Sequence, residues 1–171
     1  MILTRTFTSD LHVRDDDRVI TGTLVPYGVP VQIREYGKEY TEDFAPGAFA
    51  ADVARAGEIE LTALHPRSAA ELPIGITLSL TDTPAGLDGE WRISETEFGT
   101  EVLTLVRDKA LRSLSAGFTE GRNRWHARDR VTRLTATLDH AALVRRGAYP
   151  TAKLRGADTA SAPLLRLALR H

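Results

Sequence analysis

Apolar residues in this chain recur at every second position over short runs, and glycine and proline cut the runs apart. The clearest run sets Ile74, Ile76, Leu78 and Leu80 against Gly75, Thr77, Ser79 and Thr81. A period of two puts one set on each face of a strand. Thr83-Pro84-Ala85-Gly86 then reads as a turn, and Leu87, Gly89, Trp91 and Ile93 as the inner face of a hairpin partner. Residues 19–25, rich in Val, Ile and Thr, predict another strand ending at Pro26-Tyr27-Gly28. Ile59, Leu61, Ala63 and His65 share a further strand face, and Leu134, Ala136, Leu138 and His140 one more, with Asp139 opposite.

The period changes after residue 93. Ser94-Glu95-Thr96-Glu97 resembles a capping box, and Phe98, Val102, Leu105, Val106 and Ala110 follow at helical spacing. This predicts an amphipathic helix over 97–111. A second helix is expected over 47–56, and a polar, basic loop over 121–129. Residues 156–171 read as a linker and a short tail. The chain has 171 residues, a size that suits one domain. The expectation is therefore an α+β fold: a β-rich single domain over 1–155, with a curved mixed sheet or barrel flanked by helices.

Composition narrows the chemistry. No cysteine is present, which removes disulfides, thiolate nucleophiles and Cys-based zinc or iron–sulfur sites. Lys and Arg number 22 and Asp and Glu 23, so no overall field draws the chain to nucleic acid or an acidic membrane. Neither a secretory signal nor a membrane-length apolar run is seen, and a soluble protein made in a cytoplasm is expected. Phosphate-cradling motifs of the G-x-x-x-x-G-K-[ST] and G-x-G-x-x-G types are absent. Arg122, Arg124, Trp125, His126, Arg128 and Arg130 form a basic-aromatic cluster, read here as a solvated loop.

Without cysteine, covalent catalysis would fall to Ser, Thr, Lys or a carboxylate. Ser115 lies in Ser113-Leu114-Ser115-Ala116-Gly117-Phe118, where Ser113, Ser115 and Gly117 make a strand face almost free of bulk. Such a face leaves room for a substrate carbonyl, although close packing alone would also explain it. His65 and His140 each end an apolar strand face, where a titratable ring stands in an aliphatic position. Each, taken singly, reads as a core or edge imidazole with one hydrogen bond. A metal site of His65 and His140 with Asp139 or Glu71 is a rival reading, but no ligand-spacing motif accompanies it.

The order of segments is more specific than any one segment. Glu42-Asp43-Phe44-Ala45-Pro46-Gly47-Ala48-Phe49 precedes Leu64-His65-Pro66 and then Pro73-Ile74-Gly75. A helix then leads into Ser113-Leu114-Ser115-Ala116-Gly117-Phe118. A final strand ends in Leu143-Val144, with Ala148-Tyr149-Pro150-Thr151-Ala152 beyond. In this order the chain resembles the prohead maturation proteases of tailed bacteriophages, over roughly residues 18 to 155. That family is similar in fold to the herpesvirus assemblins, which are serine proteases.

The resemblance implies Ser115 as nucleophile and His65 as general base. It leaves the third member open between His140, matching the second histidine of assemblins, and Asp139, nearer the acidic residue of the phage branch; His140 is favoured. It implies an oxyanion site near Ala116 and Gly117, with Arg145 and Arg146 as weaker members. No metal or organic cofactor is implied. The implied substrates are phage scaffold protein or the scaffolding segment of the major capsid protein, and the chain itself. Cleavage would occur inside the immature capsid in a bacterial host's cytoplasm. A homodimer joined through helices is expected, with neither a membrane nor a specific nucleic acid as partner. The competing functions are an inactive assembly factor of the same fold and a general esterase using the same Ser–His pair.

Overall fold

The computed structural model describes residues 1–14, 16–65 and 72–145. Strands β1 (Leu3–Thr8), β2 (His12–Arg14), β3 (Val19–Pro26), β4 (Val31–Glu35) and β5 (Lys38–Phe44) come first. A 3-10 helix (Ala50–Glu58) leads to β6 (Glu60–Ala63), β7 (Gly75–Asp82) and β8 (Gly86–Ile93). Helix α1 (Glu97–Arg107) precedes β9 (Ser113–Glu120), β10 (Asn123–Ala127), β11 (Arg130–Arg133) and β12 (Ala136–Val144). The expected α+β fold is present as a mixed sheet, curled into a half-barrel, with a smaller sheet beside it.

The large sheet runs β1-β9-β12-β6-β7-β8-β3-β2 and the small one β10-β11-β5-β4. All neighbours are antiparallel except β12–β6 and β11–β5. The large sheet curls until β3 meets β9: a Cβ on Gly22 would stand 3.4 Å from the Leu114 side chain. Inside lie Leu24, Phe44, Phe49, Trp91, Leu114 and Phe118, with Phe118 edge-on to both Phe44 and Phe49. Apolar area removed from water in this way is the main favourable term in folding, about 25 cal/mol per Å².

Several expectations are corrected. Residues 121–129 are not a loop: β10 and β11 pair as a hairpin, and Trp125 packs on Tyr40. The alternation expected from Ile74 to Leu80 holds at those two residues, which are buried, but is turned over between them. Thr77 is buried while Ile76 and Leu78 are exposed, because the register slips between Thr77 and Ser79 and the Thr77 hydroxyl donates to the Ile59 carbonyl at 2.6 Å. Helix α1 ends sooner than expected, and its cap is Thr96, whose hydroxyl accepts the Gly99 amide. It buries Gly99, Val102, Leu103 and Val106, leaving Phe98 and Leu105 outside. The second helix, expected over 47–56, is the 3-10 helix. The linker and tail, the segment 148–152, Glu71 and Arg146 lie outside the described residues.

Candidate active site

Ser115 sits mid-way along β9, between β1 and β12, in register with Thr6 and with Ala142. β9 alternates cleanly. Leu114, Ala116 and Phe118 enter the core, so Ser113, Ser115 and Gly117 take the opposite face. His65 follows β6, which lies parallel to β12. The chain leaves β6 through Leu64, a bulky residue at φ 64°. That left-handed conformation costs an L-residue roughly 1–2 kcal/mol. It is held by the Leu64 amide donating to the Leu143 carbonyl (2.9 Å) and the Thr62 hydroxyl donating to the Leu64 carbonyl (2.7 Å). The turn delivers the His65 ring over Ser115.

Four side chains then stand in line. His65 Nε2 is 2.6 Å from Ser115 Oγ, and His65 Nδ1 is 2.9 Å from His140 Nε2. His140 Nδ1 is 2.8 Å from Asp139 Oδ2. The two rings cross at 71°, with centroids 5.3 Å apart. Ser115 has two further partners, both on β1: the Thr6 hydroxyl donates to Ser115 Oγ at 2.8 Å, and the Arg5 carbonyl lies 3.0 Å away.

The two sequence alternatives, His140 and Asp139, both belong to this line, and a bulge explains how. Along β12, Leu138 faces Phe118 and His140 faces Gly117, so Asp139 is an extra residue. Phe118 points into the core and Gly117 away from it. His140 therefore leaves the face of Leu138, where plain alternation put it, and joins the face of Ser115. Its ring lies on Gly117, where an added Cβ would stand 2.5 Å from Nδ1 and 2.7 Å from Nε2. Glycine is required here by that approach and not by its dihedral freedom.

The pKa of His65 is displaced. Burial, and then the neighbouring His140, push it down to about 4. The ring is thus neutral at pH 7 and open to accept a proton. An imidazole on a hydroxyl, with a second imidazole and a carboxylate behind it, can activate that hydroxyl as a nucleophile.

The remaining expected site residues are placed differently. Ala116 turns its side chain into the core, and β9 is paired on both sides, so the Ala116 and Gly117 amides lie in the plane of the sheet. Arg145 is exposed just beyond β12. Among the described residues, no three His, Asp or Glu side chains converge as metal ligands. Thr6 and the Arg5 carbonyl were missed by the sequence reading. The signal was available: Leu3, Arg5 and Phe7 alternate with Thr4, Thr6 and Thr8, but an inward arginine disguises the strand.

β1 is tied to the small sheet by that arginine. Glu42, wholly buried, receives Arg5 Nε at 2.5 Å and Arg133 Nε at 2.7 Å. Arg5 also bonds Glu35 and the Tyr40 hydroxyl, and Arg133 pairs with Glu120. The strand carrying Thr6 is thereby anchored behind the site.

The family model for caudovirus prohead serine proteases matches residues 8–163. The chain belongs to that family. It is thus a phage capsid-assembly protease in kind. Among solved structures, the capsid assembly protease of bacteriophage T4 superposes with a TM-score of 0.58 at 13% identity, covering 84% of this chain and 98% of that one. At that identity the likeness shows the fold. No curated protein sequence matches the chain.

Proposed function

We propose that the chain is a serine endopeptidase in which Ser115 is the nucleophile and His65 the general base. The observation that carries this reading is the unbroken line from Ser115 Oγ through His65 and His140 to Asp139. As Ser115 Oγ bonds to the peptide carbonyl carbon, its proton passes to His65 Nε2. That proton then goes to the leaving amine nitrogen as the C–N bond breaks. Water then gives a proton to His65 as it bonds to the acyl carbon, and His65 passes that proton to Ser115 Oγ as the acyl C–O bond breaks. His140 holds the His65 Nδ1–H, and Asp139 holds His140. Arg145, just beyond β12, and the next residue in sequence, Arg146, remain the proposed source of oxyanion charge stabilisation. A neutral histidine behind the base stabilises its imidazolium less than a carboxylate would, so a slow enzyme is expected. That suits a few cuts per particle.

The family supports, as proposed substrates, scaffold protein or the scaffolding segment of the capsid protein, and the chain itself near Asp158–Ser161, inside the prohead. The proposed homodimer is supported by α1, which exposes Phe98 and Leu105 seven residues apart on one face.

The test is co-expression with the cognate capsid and scaffold proteins, wild type beside Ser115→Ala, read by intact mass. Discrete fragments that disappear in the variant are the expected result. Fragments that persist in Ser115→Ala would remove Ser115 as nucleophile. Uncut proteins that still co-assemble in both samples would make the chain an assembly factor.

A further inference from the structure

We propose that Asp52 and Arg55 of the 3-10 helix act as a positioning clamp on β12, holding the bulge that aims His140 at His65. The inference rests on the reading of Ser115 and His65 as nucleophile and base. It starts from the backbone of Leu138. Asp52 Oδ2 accepts the Leu138 amide at 3.0 Å, and Arg55 Nη1 donates to the Leu138 carbonyl at 2.9 Å. The same Arg55 nitrogen donates to Asp52 Oδ1 at 2.7 Å. One ion pair thus supplies an acceptor and a donor to one residue, which is what a neighbouring strand would supply.

A strand partner is missing at that point. The parallel ladder between β12 and β6 begins only at His140, paired with Glu60. Leu138 stands one step before the bulge, which a chain free to slip would lose. Slipping by one residue returns every later side chain to the other face. His140 would then point with Leu138 into the core, and the line to His65 would break. Holding the amide and carbonyl of Leu138 blocks that slip.

The placement of Asp52 argues that the contact is specific. Its side chain is 1% exposed, and a buried carboxylate is tolerated only when paired and hydrogen-bonded. The 3-10 helix also breaks its own geometry at Arg55 (φ −111°, ψ 21°), turning the guanidinium toward β12. Upstream, the Ala136 amide donates to the Ala48 carbonyl and the Ala45 amide to the Arg133 carbonyl. The helix therefore starts from a segment already fastened to β11 and β12.

The test uses the full chain with Asp52→Ala, Asp52→Asn and Arg55→Ala. The first readout is the titration midpoint of His65 by imidazole ¹⁵N NMR, which needs no turnover. The groups that face His65 are His140 and Asp139 from β12, with Glu60 of β6 in register beside His140. β1 and β9 offer the Thr6 and Ser115 hydroxyls and the Arg5 carbonyl. The neighbouring His140 adds to the lowering of the His65 pKa, so when its ring withdraws the His65 midpoint should move up from about 4. The second readout is cleavage of a peptide spanning the mapped site. A displacement on the order of 1 Å in a catalytic group costs about 10²-fold in rate. Asp52→Ala should therefore lose about that in kcat with KM unchanged, and Asp52→Asn, which keeps an acceptor, should recover most of it.

A His65 midpoint that stays at its wild-type value in a folded Asp52→Ala protein overturns the clamp. Arg55→Ala, at a partly exposed position, gives the same reading should Asp52→Ala fail to fold. Wild-type cleavage that does not depend on Ser115 would sink the nucleophile assignment instead, while a moved midpoint in that preparation would still establish the clamp.

Discussion

Gly117→Ala places one methyl group against the ring of His140. The new Cβ would stand 2.5 Å from Nδ1 and 2.7 Å from Nε2. Carbon contacts settle near 3.5 Å, so the ring must withdraw by about 1 Å. Gly117 is fixed between β1 and β12, and the ring is the part free to move. The His140–His65 link, now 2.9 Å, would open past the roughly 3.2 Å limit of a useful hydrogen bond. A misplacement of that size costs about 10²-fold in kcat/KM. Stability changes less: overpacking costs about 1–3 kcal/mol, offset by up to ~1 kcal/mol from the stiffer unfolded chain. The assay is peptide cleavage with thermal unfolding in parallel, on Gly117→Ala, His140→Ala and the double variant. Because both changes remove one interaction, the double variant should be no slower than His140→Ala. A Gly117→Ala enzyme within twofold of wild type, or losses that multiply in the double variant, would refute the reasoning.

Three further outcomes follow from the same geometry. Asp139→Asn replaces a charged acceptor by a neutral one on His140 Nδ1, a loss of about 1 kcal/mol, and should slow cleavage roughly fivefold at unchanged KM; an unchanged rate would remove Asp139 from the line. Glu42→Gln leaves the Arg5 and Arg133 guanidinium groups buried without their shared carboxylate and should cost about 3–5 kcal/mol in urea unfolding; a loss below about 1 kcal/mol would mean that water relieves the cluster. His65 titrates near 4 in the fold against an ordinary 6.5, so below pH 6.5 the unfolded chain binds a proton that the folded chain refuses until about pH 4. Stability should therefore fall across that window on acidification, and His65→Gln should flatten this part of the profile; parallel profiles would contradict the lowered pKa of His65.

The parts of the fold that were legible in the sequence are those where alternation and polarity agree. β8 and β9 keep bulky apolar residues on the inner face, and their faces read correctly. The parts that were not legible are those where charge points inward or the register slips. Arg5 in β1, Glu42 in β5 and Arg133 in β11 are inward charges that meet across three strands, with Glu35, Tyr40 and Glu120 at the edge of the cluster, a pairing that no local pattern displays. β7 and β12 each carry an extra residue: in β7 the sequence period misplaces Ile76 and Leu78 and is restored at Leu80, and in β12 it points to the wrong face from His140 onward. The same slip affected the site. His65 and Ser115 stood out as a ring on an apolar face and a hydroxyl on a bare one, whereas His140 was chosen from a face it does not occupy.

In the proposed mechanism His140 and Asp139 need not compete for the third position, because proton bookkeeping makes them successive members. An ionised Asp139 carboxylate only accepts, so His140 carries its proton on Nδ1 and offers Nε2 as an acceptor. His65 must then carry its proton on Nδ1, which leaves Nε2 bare toward Ser115. Ser115 has one proton and two acceptors within reach, His65 Nε2 at 2.6 Å and the Arg5 carbonyl at 3.0 Å. The shorter contact goes to the ring only in this tautomer. In the other, His65 Nε2–H would donate to Ser115 and turn the hydroxyl toward the backbone, where it cannot be deprotonated. A carboxylate two rings away thus decides whether Ser115 is held ready or idle. A neutral histidine alone in the third position, free to flip its proton between nitrogens, would leave that choice open.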